Sequence, residues 1–167
     1  MAEREKFVTV ATVEPCVLGE EFSTLPPHIT LCPPFRAHPE DLSRYHARME
    51  VVMEENPEGL TVQAMEPALF GDNKDIPVAK TWVSAITDFP IHAGAYVGAK
   101  EIGEVDSRYA GLAWNPHISV SPGISLPDAP LSLKEVQLFH YGADTKQVIA
   151  IYATRWTRIL EQASWQK

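Results

Sequence analysis

Two segments of the chain repeat one pattern of residue types. Pro27-His28-Ile29-Thr30-Leu31 and Pro116-His117-Ile118-Ser119-Val120 each read proline, histidine, aliphatic, hydroxyl, aliphatic. Both are too short and too closely bounded by proline for a helix, so each is expected to be a strand carrying H-x-[TS]. At about 3.3 Å per residue, positions i and i+2 of a strand share one face roughly 6.6 Å apart. One imidazole and one hydroxyl then reach a single phosphate-sized group, and two such strands side by side supply two of each. Breaking a phosphodiester needs a base to take a proton from the nucleophile and an acid to give one to the leaving oxygen. Histidine, with an ordinary pKa of about 6.5, suits both roles near neutral pH. Hydroxyls donate hydrogen bonds to the non-bridging oxygens, where negative charge grows in the transition state. His28 and His117 are therefore the expected catalytic pair, with Thr30 and Ser119 binding the phosphate.

A single strand histidine usually has a packing role, and His38, His46, His92 and His140 are read that way; the duplicated five-residue pattern sets His28 and His117 apart. Near the motifs in sequence, Phe35, Tyr109 and Trp114 are candidates to stack on a nucleobase, against the plainer reading that they pack the core. Arg36 and Arg108 are candidate phosphate contacts, against the plainer reading of solvated surface cations. His28 and Cys32 lie four apart, on one face of a regular strand, and with His117 and a carboxylate would make a zinc site. That set lacks the paired spacing of zinc motifs and leaves Thr30 and Ser119 without a purpose, so neither a metal nor another cofactor is expected. No G-x-S-x-G, P-loop or G-x-G-x-x-G occurs.

At His28-Ile29-Thr30 and His117-Ile118-Ser119 the sequence resembles the two-histidine (2H) phosphoesterase superfamily, which includes 2′-5′ RNA ligase-like proteins and cyclic nucleotide phosphodiesterases and whose hallmark is two such strand motifs. The order of elements around them is similar too, over nearly the whole chain. The resemblance implies an α+β, bilobal fold: two pseudo-symmetric lobes of antiparallel strands, helices packed outside, and a central cleft with one motif from each lobe on its floor. It also implies metal-independent cleavage of a cyclic phosphate or of a 2′-5′ or 3′-5′ phosphodiester. Two other readings belong beside it: RNA-end processing of the 2′,3′-cyclic phosphodiesterase or 2′-5′ RNA ligase-like kind, and a cyclic-nucleotide-binding module without turnover. Both histidines and both hydroxyls are in place, which favours an enzyme.

The elements that must position these residues follow from periodicity. Phe7 to Val13 alternates as a strand. Residues 15 to 27 form a loop, and the strand beginning at His28 is expected to stop at Pro33-Pro34, with Ile29 and Leu31 on its buried face. Pro39-Glu40-Asp41 opens a helix in which Leu42, Tyr45, Met49, Val52 and Met53 recur at three-to-four spacing, until Asn56-Pro57 and Gly59 end it. Leu60 to Leu69 and Thr81 to Ile86 read as a hairpin. A second helix spans about Pro90 to Ile102, where Gly94 and Gly98 are costly residues. Residues 103 to 115 read as loop, and Leu133 to Tyr141 and Gln147 to Tyr152 as a closing hairpin. One bilobal domain over residues 1–167, with a hint of internal duplication, is the expected organisation.

Composition bounds the partners. The 167 residues carry a formal net charge of −8, which offers no broad cationic surface for a long polyanion. A small nucleotide substrate is expected, and long nucleic acid is not. The start of the chain lacks a basic region followed by an apolar stretch, and no apolar run reaches membrane-span length, so the expected setting is the cytoplasm, away from membranes. Two cysteines without C-x-x-C spacing fit reduced thiols.

Overall fold

The computed structural model describes residues 3–70, 76–83, 89–108, 110–111, 114–119, 126 and 129–166. The first strand, β1 (Glu5–Thr12), is buried on both faces from Phe7 onward, as a central strand must be. After the two-residue β2 (Glu21–Phe22) comes β3 (His28–Ala37). A 3-10 turn at Pro39–Asp41 leads into helix α1 (Leu42–Glu55), which buries Leu42, Tyr45, Met49, Val52 and Met53 as their spacing requires. Strands β4 (Leu60–Phe70) and β5 (Ile76–Val83) form an antiparallel hairpin. Helix α2 (Phe89–Ile102) follows. Then come β6 (Gly103–Val105), β7 (His117–Ser119), β8 (Leu131–Leu133), β9 (Val136–Tyr141), β10 (Lys146–Ala153) and β11 (Trp156–Ile159). No helix among the described residues is long and apolar enough to cross a membrane.

The ladder runs β11-β10-β9-β1-β3-β7-β5-β4-β8, with β2 added beside β10 and β6 beside β3. Its two halves meet at β3 and β7, which pair through His28↔Ser119 and Ile29↔Ile118. Phe7, Thr9 and Ala11 of β1 face the helices: Phe7 and Ala11 join the main core with Tyr45, Met49 and Ile91, and the Thr9 hydroxyl bonds the Tyr45 hydroxyl. Val8 and Val10 face the other way. They pack with Phe139, Val148 and Ile151 beneath Cys16, Leu18, Phe22 and Leu25 of the 15–27 segment. That segment roofs part of the sheet and leaves the His28 end of β3 uncovered by this second core.

The glycines of α2 serve helix packing. A Cβ on Gly94 would lie 2.4 Å from Val52 Cγ2, and one on Gly98 would lie 3.0 Å from Arg48 Cγ. The loss of helix propensity is the cost of bringing α2 against α1, where Arg48 and Glu101 also pair.

Five expectations need correction. The second strand of the central hairpin begins at Ile76 and not at Thr81, because it runs in register with β4 as far as Phe70, and the 15–27 segment contains β2, which pairs with β10. β3 does not stop at Pro33-Pro34; it bulges. Its partners on β1 run Phe7↔Phe35, Thr9↔Cys32 and Val10↔Thr30, a shift of one residue at each step, so extra β3 residues are absorbed and the strand continues to Ala37. The 103–115 stretch is not all loop, since β6 pairs with Phe35–Ala37. Leu133 to Tyr141 is not one strand: it breaks at Lys134-Glu135 into β8, which pairs with β4, and β9, which pairs with β1. The chain changes halves at that break. Residues 71–75, and the expected strand residues 84–86, lie outside the described residues.

Candidate active site

The two motifs are neighbours. Strand pairing sets His28 opposite Ser119 and Ile29 opposite Ile118 in antiparallel register, and that register carried one residue further sets Thr30 opposite His117. Each histidine thus faces the other motif's hydroxyl, and the histidines stand on a diagonal of about 8 Å between backbones, given normal strand spacings. Ile29 and Ile118 are fully buried on the helix side. Alternation therefore aims His28, Thr30, His117 and Ser119 at the opposite face, which Thr12 shares as the β1 partner of His28. Gln137 anchors that row by accepting the Thr12 backbone N–H at 3.0 Å through Oε1.

Both imidazoles are held in the same way. His28 Nδ1 is 2.7 Å from the Pro26 carbonyl, and His117 Nδ1 is 2.9 Å from the Asn115 carbonyl, two residues back in each case. A carbonyl only accepts, so each neutral ring carries its proton on Nδ1 and its lone pair on Nε2. The prolines of the repeated pattern explain the match. Pro27 and Pro116 push the preceding residue into extended backbone, and the carbonyl of that residue is the one each ring meets. Burial lowers the pKa of both histidines below the ordinary value. The backbone carbonyls partly offset this, and for His28 the nearby His117 lowers it further.

Beside the motifs β3 has a gap on its edge. β7 pairs with its beginning and β6 with its end. A pocket of about 160 Å³, walled by Thr30, Pro33, Pro34, Trp114, Asn115 and His117, lies at this gap. Prolines suit such an edge because they carry no N–H to leave unpaired. Trp114 forms one wall and donates its indole N–H to the Thr30 carbonyl at 3.2 Å.

No protein-family model and no curated protein sequence matches this chain. Solved structures do. E. coli LigT complexed with 3′-AMP aligns over 92% of this chain and 100% of its own at a TM-score of 0.57 and 11% identity. The same protein complexed with NADP+ covers 91% and 98% at 0.56 and 10% identity. A structure described as a phosphoesterase covers 89% and 98% at 0.55 and 11% identity. The chain has the LigT-like, two-histidine phosphoesterase fold.

Within this LigT-like fold the four motif residues come together and Trp114 joins them; Phe35 and Arg36 do not. Phe35 is 1% exposed, packed on Phe7 and Tyr45 with ring centroids 5.7 and 5.3 Å away, so it is core and not a stacking platform. Arg36 is exposed at the far end of β3, between Lys6 and Glu104 in register. Arg108 is exposed and its guanidinium is bound to the Asp106 carboxylate. Tyr109 lies outside the described residues.

Cys32 does not share the face of His28 and Thr30. The bulge at Leu31 turns it to the helix side as the partner of Thr9, where it is fully buried and its thiol pKa is driven far above the ordinary value. The His28–Cys32–His117 zinc set is thus not assembled. Both cysteines are buried free thiols.

His92, read from the sequence as a packing residue, packs against the site. His92 of α2 is fully buried and stacked on Trp114, with ring centroids 4.4 Å apart and planes within 3°. The i, i+3 and i+4 spacing of Ile91, Ala95, Ala99 and Ile102 marks the buried face of α2, and a histidine at its edge was the available signal.

Proposed function

We propose that this chain is a phosphodiesterase that cleaves a small cyclic nucleotide, or a 2′-5′ or 3′-5′ linked one, by paired-histidine acid/base catalysis. The observation that carries the reading is the antiparallel apposition of the two H-x-[TS] motifs, His28 beside Ser119. A phosphoryl group seated between the diagonal imidazoles has one on each side, the arrangement that in-line displacement requires. One neutral histidine takes a proton from water through Nε2 as the water oxygen bonds phosphorus. The other, protonated, gives its proton to the departing ribose oxygen as the P–O bond breaks. Thr30 and Ser119 donate to the non-bridging oxygens, where charge grows. The Nδ1 contacts to Pro26 and Asn115 hold each ring at one angle, so little reorganisation is left for the transition state.

The likeness to E. coli LigT supports the reaction class, and the pocket of about 160 Å³ beside Trp114 supports a small ligand group next to the motifs. A product-resolved screen tests this. Its panel is a 2′,3′-cyclic nucleotide, a cyclic dinucleotide, a 2′-5′ oligoadenylate and an RNA bearing a cyclic phosphate end, with and without chelator. Turnover of at least one that survives the chelator and disappears in His28→Ala is expected. Binding of a cyclic nucleotide without turnover would make the chain a binding module instead. Turnover that needs added metal would overturn the mechanism.

A further inference from the structure

The ladder joining the two motifs is short, and what continues it is made of side chains. Past Ile29 the next carbonyls of β3 belong to Thr30 and Leu31. The Thr30 carbonyl accepts the Trp114 indole N–H at 3.2 Å, and the Leu31 carbonyl lies 2.6 Å from His92 Nδ1. The other nitrogen of the same ring, Nε2, accepts the Gly111 backbone N–H at 2.9 Å. These two bonds fix the tautomer: Nδ1 donates to Leu31, Nε2 accepts from Gly111, and the ring is neutral. Trp114 lies flat on one face of the imidazole, and Tyr96 is parallel to it, within 5°, at 6.1 Å. One residue of α2 therefore ties the strand that carries the first motif to the segment that leads into the second. Gly111 and Trp114 lie six and three positions before His117.

We infer that His92, with Trp114 stacked on it, is a positioning residue that holds the second motif in register against the first. Two partnered strand residues, of which an antiparallel ladder hydrogen-bonds only alternate pairs, are a weak clamp for a site that must keep two imidazoles within a fraction of an ångström of their working positions. The imidazole adds two hydrogen bonds, the Leu31 one buried and the Gly111 one part-buried, and the buried one is expensive to lose. The stack adds planar contact that aligns the chain entering β7. His92 touches no reacting atom. Its part is to place His117.

Only the kinetic arm of the test rests on the phosphodiesterase reading. Two substitutions separate the ring from its bonds: His92→Phe keeps the stack and loses both hydrogen bonds, while His92→Gln can donate and accept but loses the stack. In the folded full chain, His92→Phe is expected to shift the imidazole resonances of His117 and the indole N–H resonance of Trp114, and to leave those of His46 and His140 in place. His92→Gln should reverse part of that shift. On a substrate found by the screen above, kcat of His92→Phe should fall at least about 10-fold, with KM within about 3-fold, since misplacement is felt in the transition state. If His92→Phe does not fold, Trp114→Phe, which loses the Thr30 bond and shrinks the stack on His92, must show a displacement of the His117 resonances in the same direction. Unmoved His117 resonances in a folded variant would overturn the inference, whatever the kinetics. A wild-type chain that cleaves no phosphodiester while His117 still shifts would sink the functional reading and leave the positioning role standing.

Discussion

His28 and Ser119 stand directly opposite each other where the two halves of the sheet meet. Each imidazole is therefore flanked across the strand boundary by the hydroxyl of the other motif. Neither H-x-[TS] strand alone holds a complete phosphate site, and the proposed chemistry depends on the junction between β3 and β7 as much as on the four side chains.

For that reason substitutions in the two strands should have similar effects. His28→Ala and His117→Ala are each expected to lower kcat by at least about 100-fold with the fold retained. The double variant should be little worse than either single one, because groups that act as a unit do not add. Thr30→Ala and Ser119→Ala should each cost about 10-fold to 1,000-fold through lost oxyanion hydrogen bonds. Steady-state kinetics beside circular dichroism decides this, and near-wild-type turnover in either histidine variant would end the mechanism.

What could be read in the sequence was the pair of matched strands and their period; what could not was the bulge. Pro27 and Pro116 before each histidine, and Ile29 and Ile118 after, marked two matched strands with one apolar face, and both isoleucines are fully buried as that pattern requires. Strict alternation then put Cys32 beside Thr30 and stopped the strand at Pro33. The two register shifts between β3 and β1 undo both inferences. A bulge depends on the partner strand, here Thr9 and Phe7, and leaves no mark in the bulged segment alone. Sequence proximity misled for Phe35 and Arg36 as well: counted along β1 they lie three and four strand residues beyond Thr30, roughly 10 to 13 Å away, and Phe35 faces the helices. The role of His92 was illegible because its partners, Leu31, Gly111 and Trp114, come from two other parts of the chain.

Phe35→Leu is a direct check on that correction. As a core substitution it should lower stability by about 1–3 kcal/mol. In the folded protein kcat and KM should stay within about 3-fold of wild type, because Phe35 packs on Phe7 and Tyr45 and has no contact with the motif face. Thermal unfolding and kinetics measured well below Tm test both halves. A large rise in KM at unchanged stability would return Phe35 to the substrate site.

The pH profile follows from burial. His28 and His117 both lie below the ordinary value in the free protein, so near neutral pH both rings are mostly neutral and, in the proposed mechanism, the acid is the scarce partner. Acidification first supplies the acid and then, on further lowering, removes the base. The bell for kcat/KM should therefore peak below about pH 6.5, with two apparent pKa values that belong to the pair. A bound phosphate anion favours the imidazolium, so the alkaline limb of kcat should lie at higher pH than that of kcat/KM. An optimum of kcat/KM above pH 8 would contradict the burial argument.

Stability should also fall on acidification, through a residue outside the site. His46 Nδ1 is 2.7 Å from the Tyr152 hydroxyl, and burial lowers its pKa from 6.5 to about 4. A histidine with a lower pKa in the folded than in the unfolded chain binds protons preferentially when unfolded. Its contribution is complete above pH 6.5 and is lost as pH falls towards 4, by about 1–3 kcal/mol after allowance for its partial exposure. His46→Gln should flatten the fall of Tm across that window relative to wild type, and an unchanged slope would remove His46 as a cause.

Substrate size can be argued from charge and from where the cations sit. The chain carries a formal net charge of −8. Arg36 stands at the far end of β3 beside Glu104, and the charge of Arg108 is offset by the Asp106 carboxylate bound to it. A polyanion that laid several phosphates along the surface would need such cations, and its binding would weaken with about the 0.7 power of salt for each phosphate neutralised on a single strand. A single reacting phosphate held by two hydroxyls and two imidazoles needs few more. We therefore expect kcat/KM for a mononucleotide cyclic phosphate or a cyclic dinucleotide to depend weakly on salt, with a slope of about one contact, and an RNA of about twenty nucleotides to gain nothing over them. Measuring all three at two salt concentrations separates the outcomes. A strong preference for the long RNA with a steep salt slope would mean that cations elsewhere on the folded surface form a track, and would move the chain to RNA-end processing with the same two histidines at its centre.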